Sequence, residues 1–332
     1  MDREQEELQF LGFFGIFKES FKIILTWRKI FSQITLALIL PLSFIFLAHI
    51  QISQLLFFHI LDNEDSLDHT PKNTPRYAKL SDVISSERTA FWAFKAAYFT
   101  FLLILSLLST SAVVYTIASV YTAKEITFKK VMSVVPKVWK RLFVTFLCSF
   151  ALVLVYNIVA AVLLISWAVF VGFSAFGATI FVLLLIVYLI GFVYISIVWH
   201  LASVVSVLEP AYGFKAMIKS KALIKGKMGP AVGFFILLSA CFIGIAVVFE
   251  NFVVLGMVPG AGIKILVAIV CFLFVFKLIL FGLVVQTVIY FVCKSYHHEN
   301  INKSSLADHL EVYLGEYVPL RAKNVQLEDF HV

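Results

Sequence analysis

Long apolar runs separated by short polar segments dominate the chain. Between Leu142 and Leu208 there is no Lys, Arg, Asp or Glu. That run is long enough for two membrane helices, because one span needs about 20 apolar residues. Backbone amides in lipid must pair within their own helix, so every span is expected to be helical. The pattern predicts an all-α integral membrane fold with six spans, at 32–56, 94–121, 142–166, 175–200, 231–250 and 264–292.

Composition agrees with this pattern. Of the 332 residues, 61% are hydrophobic and only 14% are charged, whereas soluble domains carry about 25% charged residues. The N-terminus lacks the basic start and small-residue cleavage site of a signal peptide, so we expect the first span to insert as an uncleaved anchor. The net charge of +7 resides largely in residues beside spans, which favours lipid headgroups over nucleic acid as the partner.

Charge is distributed unevenly between the two sides of the predicted spans. Residues 61–90 hold four basic and six acidic side chains, and residues 251–263 hold no charge. Basic residues instead accumulate before the first span, between the second and third, and between the fourth and fifth. The positive-inside rule then places both termini in the cytosol. The predicted divisions are a cytosolic N-terminus (1–31), a membrane domain (32–293) with an extracytosolic loop (57–93), and a cytosolic tail (294–332).

The three basic segments are also amphipathic. In 126–141 the apolar positions follow helical spacing, as do the phenylalanines near the N-terminus, and 210–228 shows a lysine face beside Phe214 and Ile218. Such helices lie in the membrane interface with their lysines at the phosphates. We therefore predict three repeats of one cytosolic interfacial helix followed by two spans. An ordinary juxtamembrane loop is the alternative for any single copy.

The basic side chains of these segments are the predicted binding residues for anionic lipids of the cytosolic side. They are Lys18, Lys22, Arg28, Lys29, Lys129, Lys130, Lys137, Lys140, Arg141, Lys215, Lys219, Lys221, Lys225 and Lys227.

Three blocks of the chain carry a family resemblance. They read SVYTAKEITFKKVMSVVPKVWKRLFVTF, VWHLASVVSVLEPAYGFKAMIKSKALIKGK and CKSYHHENINKSSLADHLEVYLGEYVPL. They resemble a plant family of uncharacterised six-span proteins, often labelled polyadenylate-binding-protein-binding-like. The interfacial-helix pattern is also similar, more distantly, to the membrane domain of some bacterial glycerophosphodiester phosphodiesterases. The resemblance implies fold, plant origin and membrane location, and it brings no catalytic motif.

Three polar residues fall within the predicted spans. Lys277 lies about midway along the sixth span, where a lysine costs at least about 2.5–3.5 kcal/mol and needs a partner or water. Asn157 lies at a compatible depth, whereas Glu250 lies nearer the outer boundary. Lys277 is interpreted either as a packing or snorkelling residue or as part of a solute path. The hydroxyl-rich second span likewise suits either close helix packing or a polar lining.

The C-terminal segment offers further candidates. Cys293, at the end of the last span, is a palmitoylation candidate. A capping box predicts a short helix at 305–314, and the following residues partly match the peptide that engages the C-terminal domain of poly(A)-binding protein. That partner-binding tail comprises Leu310, Glu316, Tyr317 and Pro319. Its alternative is docking on the protein's own bundle. Histidines near Cys293 match no zinc spacing, so neither metal nor cofactor is expected.

No nucleophile, nucleotide loop or paired-carboxylate motif is found in the sequence. We therefore expect a non-enzymatic multi-pass protein of the endoplasmic reticulum or plasma membrane, which organises or senses the anionic cytosolic leaflet or scaffolds a partner. The alternative is a channel or small-solute transporter with a path past Lys277.

Overall fold

The structure, a computed structural model, describes residues 5–72, 74–122, 126–172, 174–257 and 260–298. Its helices are α1 (Gln5–Leu8), α2 (Phe13–Thr26), α3 (Arg28–Ile34), α4 (Leu40–Asp68), α5 (Pro75–Tyr121), α6 (Phe128–Phe170), α7 (Ala175–Leu208), α8 (Phe214–Leu223), α9 (Met228–Phe249) and α10 (Ala261–Tyr296). Two π-helical turns, Thr35–Ile39 and Glu250–Val254, adjoin α4 and α9.

Six helical segments are long and apolar enough to cross a membrane. They are Arg28–Asp68, Pro75–Tyr121, Phe128–Phe170, Ala175–Leu208, Met228–Val254 and Ala261–Tyr296. The predicted all-α integral membrane fold with six spans is confirmed at this level.

Consecutive spans pack as three hairpins, α4 with α5, α6 with α7, and α9 with α10. We call the end of the bundle where α5, α7 and α10 terminate the packed end, because α2, α3 and α8 also lie there. The opposite end, where α5, α7 and α10 begin, is the open end. Two ring contacts attach α2 to the last hairpin: Phe13 stacks on Phe234 of α9 at 4.2 Å, and Phe17 meets Phe281 of α10 at 5.2 Å.

The main hydrophobic core lies at the packed end. Buried residues run almost continuously over 109–120 of α5, 196–208 of α7 and 284–293 of α10. The open-end halves of α6 and α7 instead expose apolar side chains, such as Phe170 at 85% and Phe176 at 74%. Helices with apolar exposed surfaces suit a hydrocarbon solvent, so packing is concentrated where the protein contacts itself.

Side-chain caps define where three of the long helices begin. Thr74 accepts a hydrogen bond from the backbone N–H of Tyr77, and Pro75 occupies the first helical position. Thr127 and Ser174 cap α6 and α7 in the same way. Threonine and serine at this position satisfy one of the amide donors that a helix start leaves unpaired.

The prediction that residues 57–93 form a loop is wrong. α4 continues to Asp68 and α5 begins at Pro75, so most of this segment is a helical hairpin that extends beyond the apolar part of the spans. Polar pairs cross it: Asn63 donates to Glu87 at 2.8 Å, and Arg88 donates to Glu64 at 2.6 Å. Charge alone did not distinguish a solvated helix from a loop.

The two predicted interfacial helices after the second and fourth spans also differ in extent. Residues 126–141 do not form a separate helix, since α6 continues without a break from Phe128 through the span. Its valines, including Val131 and Val138, pack into the core, while Lys129, Lys137 and Lys140 lie on the exposed side. For 210–228 the helix covers only Phe214–Leu223, preceded by Gly213 at φ +63°.

Candidate functional site

Most of the predicted lipid-binding residues are exposed at the packed end. Ten of the fourteen basic side chains are exposed, and we call these the basic belt. The belt comprises Lys18, Lys22, Arg28, Lys29, Lys129, Lys137, Lys140, Lys215, Lys221 and Lys225. The other four, Lys130, Arg141, Lys219 and Lys227, are half-buried.

Large apolar side chains are exposed beside the belt on α2, on the turn before it and on α8. Phe10 and Phe14 are 80% and 83% exposed, and Ile218 of α8 is 70% exposed. The opposite face of α2, with Ile16 and Glu19, is buried against the bundle. An apolar ridge flanked by lysines is typical of helices that lie in a membrane interface. The surface of the packed end is therefore both basic and apolar.

Glu209 lies at the centre of the packed end and was not selected by the sequence analysis. It follows α7, its side chain is 8% exposed, and its two carboxylate oxygens contact different elements. Oε2 lies 2.5 Å from Nζ of Lys219 on α8, and Oε1 accepts from Tyr290 at 2.6 Å and from Lys294 at 3.1 Å, both on α10. Its backbone carbonyl accepts a hydrogen bond from Arg141 of α6. Glu209 thus joins α6, α8 and α10.

The contacts of Glu209 correct the interpretation of two basic residues. Lys219 and Arg141 were predicted to bind lipid, but both are half-buried and their polar heads bond to Glu209. The signal was present in the sequence, since Glu209 is the only acidic residue between Glu125 and Glu250. A lone carboxylate among many lysines is a better candidate for an ion pair than for a solvated charge.

The carboxylate of Glu209 has a lowered pKa. Burial alone raises the pKa of Glu209, but the hydrogen bonds from Lys219 and Tyr290 and the charges of Lys294 and Lys219 outweigh burial, so the net direction is downward from 4.5. A carboxylate of this kind stabilises the fold above its ordinary pKa, and the stabilisation disappears as the pH falls through the folded value.

We expect the stability contributed by Glu209 to be lost on acidification below about pH 4.5. Melting temperatures of the wild type and Glu209→Gln, measured in detergent from pH 7 to pH 3.5, should differ most at pH 7 and converge in the acid range. A difference that stays constant throughout would contradict a charged Glu209. Glu64→Gln, in an exposed pair with Arg88, is the control and should follow the wild type.

Thr145 forms a second buried junction beside Glu209. Its hydroxyl accepts from the backbone N–H of Gly213 at 2.7 Å and lies 2.7 Å from the hydroxyl of Ser206. Thr145 and Ser206 have no exposed surface. These bonds position the turn before α8 against α6 and α7. The imidazole of His297 adds another link, because its Nε2 lies 3.0 Å from the carbonyl oxygen of Leu223.

The three polar residues predicted within the spans are not brought together. Lys277 is exposed on the open-end half of α10, and the structure describes no ion pair or hydrogen bond for it. Asn157 is bonded instead by Tyr188 at 3.0 Å, and Glu250 accepts from Gln54 at 2.6 Å. Lys277 lies one turn from Phe281, which touches α2. If α2 lies in the interface, Lys277 is only about 6 Å deeper and can snorkel.

The hydroxyls of the second span bond mostly within their own helix. Thr110, Ser111 and Thr116 each donate to the carbonyl four residues earlier. This supports the packing interpretation of that span over a polar lining.

Two remaining predictions concern the C-terminal region. Cys293 is fully buried, which argues against palmitoylation because a thiol without exposed surface is out of reach of an acyl donor. The partner-binding residues Leu310, Glu316, Tyr317 and Pro319 and the helix at 305–314 lie outside the described residues. Within the described ranges, no group of three His, Cys, Asp or Glu side chains is placed to hold a metal ion.

Comparison with known proteins identifies a family whose description names no activity. A family model described as "Domain of unknown function (DUF8558)" matches residues 1–330. No curated protein and no solved structure matches the chain. The resemblance to the plant six-span family and to phosphodiesterase membrane domains is not tested by this match and stays a prediction.

Proposed function

Since the chain belongs to the DUF8558 family, whose description supplies no activity, we propose a function from its own surface: a non-enzymatic membrane protein that binds anionic lipids of the cytosolic leaflet. The observation that carries the proposal is the basic belt, ten exposed cations next to exposed phenylalanines at one end of the bundle. Of the acidic residues described at that end, Glu19 and Glu209 are buried and Glu7 is exposed. Exposed basic side chains therefore outnumber exposed acidic ones among the described residues of this surface.

The belt also supports the finer predictions of topology and repeats. Lysines concentrate on the cytosolic side of membrane proteins, so we propose that the packed end and both termini face the cytosol, in the endoplasmic reticulum or plasma membrane. Each hairpin is preceded by an amphipathic segment: α2 and α3, the first turns of α6, and α8. This order is consistent with three repeats of one amphipathic segment and two spans.

A solute path past Lys277 has no specific observation in its favour. Lys277 does not line the apolar cavity between α4, α5, α7, α9 and α10, and its exposed position suits contact with lipid.

We expect removal of three belt charges to abolish selective retention of anionic lipid. Each lysine near an anionic surface contributes about 1 kcal/mol, so Lys18→Gln, Lys22→Gln and Lys215→Gln together should weaken apparent binding about a hundredfold. The measurement is native mass spectrometry of protein purified from mixed phosphatidylcholine and phosphatidylserine. The wild type should retain phosphatidylserine preferentially.

The matched control removes three exposed basic residues at the open end. Lys72, Arg76 and Lys79 surround the start of α5, and their replacement by glutamine changes the net charge equally. Retention should then stay at the wild-type level. An equal loss in both variants would mean that only total charge matters, and a wild type indifferent to phosphatidylserine would refute the proposal.

A further inference from the structure

A cavity of about 350 Å³ lies between α4, α5, α7, α9 and α10. Its walls are almost entirely apolar and include Leu42, Phe46, Phe234 and Phe242. This volume falls within the range of small-molecule sites, about 300–1,000 Å³. Apolar cavities stay free of water and accept apolar molecules. The space is therefore suited to an apolar occupant.

Four polar side chains line the cavity, Ser106, His200, Ser239 and Gln286, and two of them, His200 and Gln286, form a pair. His200 Nδ1 lies 3.2 Å from Gln286 Oε1, and both residues line the cavity. An amide oxygen only accepts, so Nδ1 donates and His200 Nε2 is left as an acceptor. Gln286 Nε2 is a buried donor with no hydrogen-bond partner among the described residues. The pair thus offers one unused acceptor and one unused donor.

This pairing does not depend on how the amide is oriented. If the Gln286 amide is reversed, its nitrogen donates to Nδ1, His200 Nε2 becomes the donor, and the amide oxygen becomes the free acceptor. In both arrangements one donor and one acceptor are available. A hydroxyl group can donate to one and accept from the other, whereas an ether or ester oxygen can only accept.

The charge and the length of the cavity restrict the class of ligand further. No Lys, Arg, Asp or Glu is among the residues that line the cavity, and an unpaired charge in such surroundings is strongly unfavourable. Along α9 the lining extends from Ala231 to Phe242, about 16 Å at 1.5 Å per residue. His200 lies about 12 Å from the packed end of α7. The polar pair thus lies well away from the packed end, at a position where the His200 side chain is exposed, and apolar wall extends beyond it towards Phe242.

We propose that this cavity binds an uncharged lipid that carries a hydroxyl group, with the hydroxyl between His200 and Gln286 and the hydrocarbon along α9. The site is separate from the basic belt, which selects charged headgroups, so either assignment can fail without the other.

The test measures binding of two probes with the same chain to full-length protein in phosphatidylcholine nanodiscs. Radiolabelled oleyl alcohol should bind one to one and saturably. Methyl oleyl ether should bind about tenfold more weakly, because it cannot donate a hydrogen bond. Wild-type protein that binds neither probe, or both equally, would overturn the proposal.

Variants locate the binding within the bundle. Gln286→Leu should lower the affinity for the alcohol about tenfold and bring the alcohol-to-ether ratio close to one. Ser239→Phe should fill the cavity and abolish binding of both probes. Tyr188→Phe, which removes a hydroxyl of the α6–α7 hairpin away from the cavity, is the control and should keep the wild-type ratio.

Melting temperatures establish that each variant is folded. Should Gln286→Leu not fold, Ser239→Phe and the two probes on the wild type still decide the matter. Unchanged discrimination in a folded Gln286→Leu, or retained binding in a folded Ser239→Phe, would exclude this site. The belt variant with Lys18, Lys22 and Lys215 replaced should bind oleyl alcohol like the wild type.

Discussion

Replacing Glu209 by alanine is expected to lower the free energy of unfolding by about 3–5 kcal/mol, because removing one partner of a buried ion pair leaves the other charge uncompensated. Lys294 is the residue most affected, since its side chain is only 17% exposed. The hydroxyl of Tyr290 loses its acceptor as well. Titration with sodium dodecyl sulfate in mixed micelles, followed by far-ultraviolet circular dichroism, measures this free energy.

An exposed ion pair supplies the control for Glu209. Glu64 and Arg88 are 2.6 Å apart with side chains 40% and 60% exposed. Exposed pairs contribute about 0–1 kcal/mol, so Glu64→Ala should leave the unfolding transition almost unchanged. Similar effects of the two substitutions would mean that Glu209 is no more than a surface carboxylate.

Thr145→Val is expected to cost about 1–3 kcal/mol, although valine has nearly the same shape as threonine. The substitution leaves the N–H of Gly213 buried without an acceptor, and the cost of an unsatisfied buried donor is of this size. Gly213 is held at φ +63° directly before α8. Loss of its hydrogen bond should therefore loosen α8, and the same detergent titration measures the change.

Thr116→Val is the comparison for Thr145→Val. Thr116 is equally buried, but its hydroxyl donates only to the carbonyl of Ala112 one turn earlier in α5. That carbonyl already accepts a hydrogen bond within the helix, so removing the Thr116 hydroxyl should cost less than about 1 kcal/mol. A larger loss for Thr116 than for Thr145 would refute the role assigned to the Thr145 junction.

The contacts of Glu209 distinguish two kinds of basic residue at the packed end, those bonded within the protein and those exposed. Arg141 and Lys219 contribute to the fold through Glu209, whereas belt residues such as Lys18 and Lys215 project from the packed end. Substitutions of the first kind should change stability, and those of the second kind should change lipid retention. This is why the belt experiment uses only exposed lysines.

The sequence by itself determined the all-helical fold and the number of helices long and apolar enough to cross a membrane. Apolar length sets the number of helices that lipid can accommodate, and this depends on local composition. It also indicated an exposed apolar ridge at the start of α2, since Phe14 and, just before the helix, Phe10 are exposed. The sequence also contains a signal for the start of α5, since Thr74 and Pro75 are typical of a helix start. The prediction of a loop from charge alone did not use this signal.

Only the tertiary structure decided which polar residues meet. Glu209 is 85 residues from Lys294 and 68 residues from Arg141, and these contacts depend on how α6, α7 and α10 cross at the packed end. The same holds for His200 and Gln286, whose bond requires two spans from different hairpins. Periodicity specifies the face of a helix on which a residue lies, whereas partners are set by packing between helices, and that information is not local in the chain.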